Sequence, residues 1–357
     1  MKPLVIKLGS ALLSDPDGCF DGTILDPLAA TVSNRWKVGQ PTLVVSSGAV
    51  ALGRSAFSNQ TGPSLVRKQA SAAIGQAQLM SCYREAFGPY GLKPAQVLLT
   101  PADLRNRERY LQASGVLRLL MQNKIVPILN ENDVVSDVAL RFGDNDRLAV
   151  EAATMVEAVQ LILMTVEDGV YQTDPRTDPQ AKRLPLLEVI DDAMIDSMGP
   201  PGQLGCGGMG SKLRSARRAQ EQGIDVVIAS GRVLANWQAI QQKRSFGTEI
   251  PARPRKRSAR RDWIANTLEP RGTLVIDKGA QYALEKDGAS LLAVGLLNHA
   301  GNFLRGDSVA LKSEDSSVEV GRGLIRLDRG ALDEVLRRGE HTDQILIHRD
   351  DLVLSDR

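Results

Sequence analysis

Histidine is missing from the first 298 residues; the three present are His299, His341 and His348. Any chemistry in that long stretch therefore runs without an imidazole base, an imidazole-paired nucleophile or a histidine metal ligand. Cysteine is scarce too. Cys19, Cys82 and Cys206 are odd in number and form no close pair, which argues against a disulfide framework or a zinc site and fits a reducing cytoplasm. No apolar run approaches the roughly 20 residues of a membrane span. Leu4-Val5-Ile6 is broken by Lys7 and is too short for a secretory signal. The net charge is only +2, so no bulk attraction to nucleic acid or membrane is expected. Nor does the chain contain a Gly-Lys-Ser/Thr triplet, which excludes a Walker A phosphate loop.

What is present is a 357-residue chain, 43% apolar and 24% charged. That is long enough for a large core and two domains. Short apolar runs alternate with helical patterns through about residue 230, as in a parallel sheet covered by helices. Strands are expected at Leu4 to Leu8, Thr42 to Val45, Gln96 to Leu99, Val126 to Leu129, Leu161 to Met164 and Ile224 to Ala229. Helical patterns cover Leu65 to Phe87, Arg107 to Gln122, Arg147 to Glu157 and Leu186 to Met198. Residues 251–270 hold six Lys and Arg against two acidic residues and read as a basic linker. Beyond it, short alternating strands at Leu274-Val275-Ile276, Leu291 to Val294 and Ser308 to Leu311 suggest a small, mainly β second domain.

Polar residues gather where such a sheet would bind a ligand. Lys7, Ser47, Asn130-Glu131-Asn132-Asp133 and Thr165 all fall at or just past the carboxyl ends of strands, the edge that holds ligands in open α/β sheets. Lys7 in a buried strand calls for an anion, either a structural carboxylate or a ligand phosphate. Ser46-Ser47-Gly48-Ala49 taken by itself reads first as a plain strand-to-helix turn, since serine caps are common. Asp144-Asn145-Asp146 caps a helix, but three such residues exceed what capping needs, and the surplus suggests work on lysines or Mg²⁺.

The densest glycine stretch is Gly205-Cys206-Gly207-Gly208-Met209-Gly210-Ser211-Lys212. Its letters fit G-x-G-x-x-G, but it follows a helix-like segment and a turn rather than a strand, so a dinucleotide fingerprint is rejected. A flexible surface loop with a solvated lysine is the plain reading. The sharper one is a phosphate cradle: glycines allow close backbone approach, the helix start offers N–H groups, and Lys212 adds a full charge.

Taken together, Val5-Ile6-Lys7-Leu8-Gly9-Ser10, Ser46-Ser47-Gly48-Ala49, Asn130-Glu131-Asn132-Asp133, Gly143-Asp144-Asn145-Asp146, Tyr171 to Arg176 and Gly207 to Lys212 resemble the amino-acid kinase family. Gly301-Asn302-Phe303-Leu304-Arg305-Gly306-Asp307 and Ile347-His348-Arg349-Asp350-Asp351-Leu352 resemble a PUA domain. The resemblance implies a three-layer αβα sandwich with a mainly parallel sheet as a catalytic domain at 1–250. The linker at 251–270 and a PUA-like domain at 271–357 complete the expected organisation. Implied with it is ATP-dependent phosphorylation of the γ-carboxylate of L-glutamate, the first step of proline synthesis. Acetylglutamate, aspartate or carbamate are the alternative acceptors. ATP would contact Lys7, Thr165, Val166, Cys206, Gly207, Gly208, Met209, Gly210, Ser211 and Lys212; glutamate would contact Ser47, Asp133 and Asn145. Lys7 and Lys212 would flank the transferring phosphoryl group, Asp146 would hold them, and Asp144 would assist Mg²⁺, with no dedicated set of protein metal ligands. The family usually carries aspartate at Val166 and threonine at Cys206. Feedback inhibition by proline and a homodimer or homotetramer are further implications. RNA binding through the PUA-like part is the rival class, and the 12 basic against 15 acidic residues of 271–357 oppose it.

Overall fold

The structure, a computed structural model, describes residues 2–57, 64–136, 145–175, 177–178, 180–198, 208–254, 259–266, 268–315, 318–338 and 343–355. Two compact units form. One comprises residues 1–102 and 112–256, the other 103–111 and 257–357.

The strands of the first unit are β1 (Leu4–Leu8), β2 (Thr42–Val45), β3 (Lys93–Leu99), β4 (Ile125–Glu131), β5 (Gln160–Thr165), a short hairpin β6 (Val170–Tyr171) and β7 (Arg183–Leu184), β8 (Asp225–Ser230) and β9 (Thr248–Ile250). Its helices are α1 (Leu25–Lys37), α2 (Ala49–Gly53), α3 (Ser64–Phe87), α4 (Pro101–Arg105), α5 (Arg107–Gln122), α6 (Asn145–Met155), α7 (Asp192–Ser197), α8 (Met209–Glu221) and α9 (Leu234–Gln242); α4 and α5 run through the residues assigned to the second unit. Seven strands make one sheet in the order β3-β4-β2-β1-β5-β8-β9. All neighbours are parallel except β9, which runs antiparallel on the edge of β8. The chain goes from β1 to β2, out to β3, back to β4, and then crosses to the other side of β1 for β5. Strand order therefore reverses at β1, which opens a crevice at its carboxyl end.

The pleat of β1 sorts its side chains. Leu4, Ile6 and Leu8 enter a core with Leu25, Leu28 and Val32 of α1, Leu79, Tyr83 and Phe87 of α3, and Trp237 and Ile240 of α9. Val5 and Lys7 take the opposite face, where α6 lies on β1, β4 and β5, and α8 lies on α6 and β8. Helices on both faces complete the expected αβα layering. Helices α2 and α3 touch through bare backbone: a Cβ on Gly75 would stand 1.8 Å from the Ala49 carbonyl oxygen, and one on Gly53 would stand 1.9 Å from that of Ser71.

The helical pattern expected over Leu186 to Met198 yields only α7. Its first residues run extended beside β9, with Leu187 N–H donating to the Glu249 carbonyl and Glu249 N–H to that of Pro185. Helix begins where Asp191 caps it by accepting from Met194 N–H at 2.7 Å.

In the second unit, α10 (Ala259–Asn266) lies within the stretch read as linker and buries Trp263 and Ile264. Trp263 stacks on Tyr110, ring centroids 4.6 Å apart, and donates from Nε1 to the Leu104 carbonyl at 3.3 Å. Strands β10 (Gly272–Ile276), β11 (Leu291–Leu292), β12 (Leu296–Gly301), β13 (Ser308–Ser313), β14 (Glu319–Leu324), β15 (Ile345–Ile347) and β16 (Leu352–Leu354) follow, with α11 (Lys278–Tyr282) and α12 (Arg329–Arg338). Five of them form a sheet in the order β12-β10-β13-β14-β16, and β11 pairs with β15. Leu274, Ile276, Phe303, Val309, Leu311, Leu332 and Ile347 fill a core of their own. The strand expected over Leu291 to Val294 stops at Leu292, because Ala293–Gly295 turn into a 3₁₀ helix.

Candidate active site

Lys7 is the fourth residue of β1, paired in register with Val45 on one side and Leu163 on the other. That position aims it at the start of α6. Its Nζ lies 2.5 Å from Asp146 Oδ1, while Lys212 Nζ, from the first turn of α8, lies 3.1 Å from Asp146 Oδ2. All three side chains are buried, with 3%, 7% and 0% exposure for Lys7, Lys212 and Asp146. Burial by itself raises the Asp146 carboxyl, but the two ammonium groups outweigh it and hold the acid below the ordinary carboxylate range. Two cations on one anion leave a positive charge uncompensated, and among the described residues no other carboxylate lies within ion-pair distance of either lysine. A buried net charge of that kind calls for an anionic ligand.

A polar network adjoins this cluster. Asn145 Nδ2 donates to the Ser46 carbonyl at 2.7 Å, to Asn130 Oδ1 at 2.7 Å and to Ser47 Oγ at 3.2 Å. Asn130 Nδ2 passes the chain on to Gln76 Oε1 at 2.9 Å, and Gln76 Nε2 to Gln96 Oε1 at 3.2 Å. From below, the Tyr83 hydroxyl donates to Ser46 Oγ at 2.8 Å, and burial pushes its phenol pKa up. Gln76, Gln96, Glu131, Asn132 and Asp133 line a cavity of about 320 Å³ against α3. Asn145 thus connects the lysine cluster, one residue before Asp146, to polar side chains in the wall of that cavity.

On the other flank, the backbone after β5 is tied to β8. The Gly231 N–H donates to the Thr165 carbonyl at 2.9 Å and Ser230 Oγ to the Val166 carbonyl at 3.0 Å. The Val166 side chain itself stays 37% exposed. Asp168 accepts from Asn236 Nδ2 at 3.0 Å. At the start of α8, Gly208 is extended and no side chain caps the helix. Met209, Gly210 and Ser211 form its first turn with Lys212. A Cβ on Gly210 would press to 3.1 Å from the Ile195 carbonyl, so close packing on α7 alone accounts for that glycine.

Of the residues singled out in the sequence, Lys7, Asp146 and Lys212 converge, and Asn145 and Ser47 join them through one network. Asp133 lines the cavity that this network reaches. Thr165 and Val166 stand on the opposite side of β1, at the end of β5. Asp144, Cys206 and Gly207 lie outside the described residues, as does Arg176. Gln76 and Tyr83, within the helical pattern at Leu65 to Phe87, are functional-site candidates that the sequence did not single out. Their spacing of seven on one helix face, among Ala72 and Leu79, is the signal that would have marked them.

The chain matches the amino acid kinase family over residues 2–230 and a PUA domain over residues 272–345. It is 40% identical over 365 residues to a protein of Bradyrhizobium diazoefficiens named glutamate 5-kinase, spanning 99% of this chain and 97% of the relative. Another protein of that name, from Chromohalobacter salexigens, is 39% identical over 361 residues, or 98% and 95% of the two chains. Among solved structures, a UMP kinase from Bacillus anthracis aligns with a TM-score of 0.50 at 16% identity, covering 71% of this chain and 97% of that one. At that identity the likeness is one of fold.

Proposed function

The chain belongs to the amino acid kinase family, and from that membership we propose that it transfers the terminal phosphoryl group of ATP to the γ-carboxylate of L-glutamate. The products are ADP and L-glutamyl 5-phosphate, and the step opens proline biosynthesis. Relatives named glutamate 5-kinase, similar over nearly their whole length, support the acceptor. The observation that carries the reaction type is the buried Lys7–Asp146–Lys212 cluster with its surplus positive charge.

A carboxylate nucleophile has an ordinary pKa of about 4.3 and is already ionised near neutrality. No group has to remove a proton, which agrees with a catalytic stretch free of histidine. The difficulty lies instead in bringing two anions together and stabilising the charge on the group that moves between them. Lys7 and Lys212 supply that stabilisation, and Asp146 holds both ammonium groups in place beforehand, so little reorganisation is needed during transfer. The N–H groups at the start of α8 face the same phosphates. Ser47, Asn145 and Asp133 hold the glutamate, and Thr165 and Val166 lie along the nucleotide.

Among the described residues no cluster of three or more His, Cys, Asp or Glu could cage a metal ion. Both Asp146 oxygens face ammonium groups, so the donor set fits Mg²⁺ carried on the nucleotide phosphates, as is usual for this ion, with Asp144 as its protein neighbour. When bound, the ion adds positive charge to the phosphates. Feedback inhibition by proline, assembly into dimers or tetramers and a cytoplasmic location belong to the same reading. Among the described residues no helix is long and apolar enough to cross a membrane.

Trapping the acyl phosphate with hydroxylamine tests the proposal. ATP with glutamate gives a hydroxamate; the same yield from acetylglutamate or aspartate, and none from glutamate, overturns it.

A further inference from the structure

Helices α6 and α8 run parallel and are joined by three polar rungs that occur in the same order along both, the third at Gln222, the residue that ends α8. The first is Asp146–Lys212. The second is Glu151 with Arg218, whose Nη2 lies 2.6 Å from Glu151 Oε1; the Glu151 side chain is only 2% exposed. In the third, the Thr154 hydroxyl donates to the Gln222 side-chain oxygen, both residues being buried. Phosphoryl transfer makes no use of Glu151 or Arg218, yet a buried carboxylate is costly unless something requires it.

We infer that Glu151 and Arg218 are positioning residues that set the axial register of α8 and so place the Lys212 ammonium on Asp146. The physical need is specific. Gly208 leaves α8 without a side-chain cap at its start, so the height of Lys212 depends on how the rest of the helix is held. A helix that slipped by one turn would carry Lys212 about 5.4 Å along the axis, beyond reach of the carboxylate. Apolar packing tolerates small slides. A charge pair at a fixed height does not, because displacement separates the charges in a low-dielectric interior.

The turnover half of this inference rests on the proposed kinase activity, whereas the placement half does not. Two readouts on the full chain therefore test it. In Glu151→Gln and Arg218→Met, kcat for hydroxamate formation falls roughly ten- to hundred-fold, as expected when a catalytic group is displaced by about 1 Å, while the glutamate KM stays put. Arg218→Lys restores most of the rate. In parallel, acetylation of Lys212 by acetic anhydride, followed by peptide mass spectrometry, speeds up severalfold in the first two variants and not in the third. Exposed lysines such as Lys37 serve as internal controls. A loss of thermal stability with unchanged kcat and unchanged Lys212 acetylation makes the pair merely structural and overturns the inference. A wild-type chain inactive on glutamate, with Lys212 nevertheless unmasked in Glu151→Gln, leaves the positioning role standing and removes glutamate as the acceptor. Should the charge variants fail to fold, Thr154→Val removes a neutral rung and carries the same two measurements.

Discussion

Lys7 and Lys212 meet on opposite oxygens of a single buried carboxylate, at 2.5 and 3.1 Å. One lysine comes from the central strand and the other from the helix that follows the glycine loop. Neither could be held there alone, since an isolated buried ammonium is expensive.

Removing the shared partner tests that arrangement. In Asp146→Asn the two ammonium groups face each other with no counter-charge, and breaking a buried pair of this type costs about 3–5 kcal/mol. Urea denaturation should register a loss of that size, and kcat should drop by about 10²-fold or more. A variant as stable as wild type would mean that the lysines are already compensated elsewhere.

Lys212→Ala separates catalysis from binding. Deleting one preorganised charge donor lowers kcat on the order of 10²–10³-fold and leaves the glutamate KM nearly unchanged, because the interaction is made with the moving phosphoryl group. Steady-state kinetics with a raised KM and an intact kcat would make Lys212 a binding residue instead.

Acid sensitivity follows from the same carboxylate. The Asp146 acid is held below its ordinary value of 3.8 in the folded protein. Its stabilising contribution is therefore complete above that value and is lost as pH falls through the lower folded pKa. Stability measured from pH 6 down to pH 2 should show an acid limb that is shallower in Asp146→Asn.

Tyr83→Phe should act on the acceptor side. It leaves the buried Ser46 hydroxyl without the phenol that donates to it at 2.8 Å, a loss of roughly 1–2 kcal/mol. Because Ser46 also holds Asn145 through its carbonyl, the glutamate KM should rise while the ATP KM does not. Equal changes in both would place the network outside acceptor binding.

Gly75→Ala tests the backbone contact between α2 and α3. The added methyl would stand 1.8 Å from the Ala49 carbonyl oxygen, so the helices must move apart, at about 1–3 kcal/mol for overpacking. A melting temperature unchanged from wild type would show that α2 yields freely.

Much of this was legible before any coordinates. Strands β1 and β2 have the bounds read from the sequence, because a fully buried parallel strand is a mainly apolar run, interrupted in β1 only by Lys7, with its own stop signals. The helix read over Leu186 to Met198 failed on its first half, where pairing beside β9 overrode local periodicity. Gln76 and Tyr83 escaped notice because one polar residue per two turns looks like ordinary helix surface until its neighbours are known.

By itself the amino-acid order determined which residues stand at strand ends, that residues 1–298 offer no histidine, and that a glycine-rich stretch runs into a helix bearing Lys212. Asp146 as holder of Lys7 and Lys212 was already an expectation; tertiary structure alone decided that each lysine takes a different oxygen of it, and that Asn145 ties Ser47 to Asn130. The reason is physical: periodicity records which face of an element is buried, whereas the meeting of distant side chains depends on strand order and on the height at which one helix packs against another.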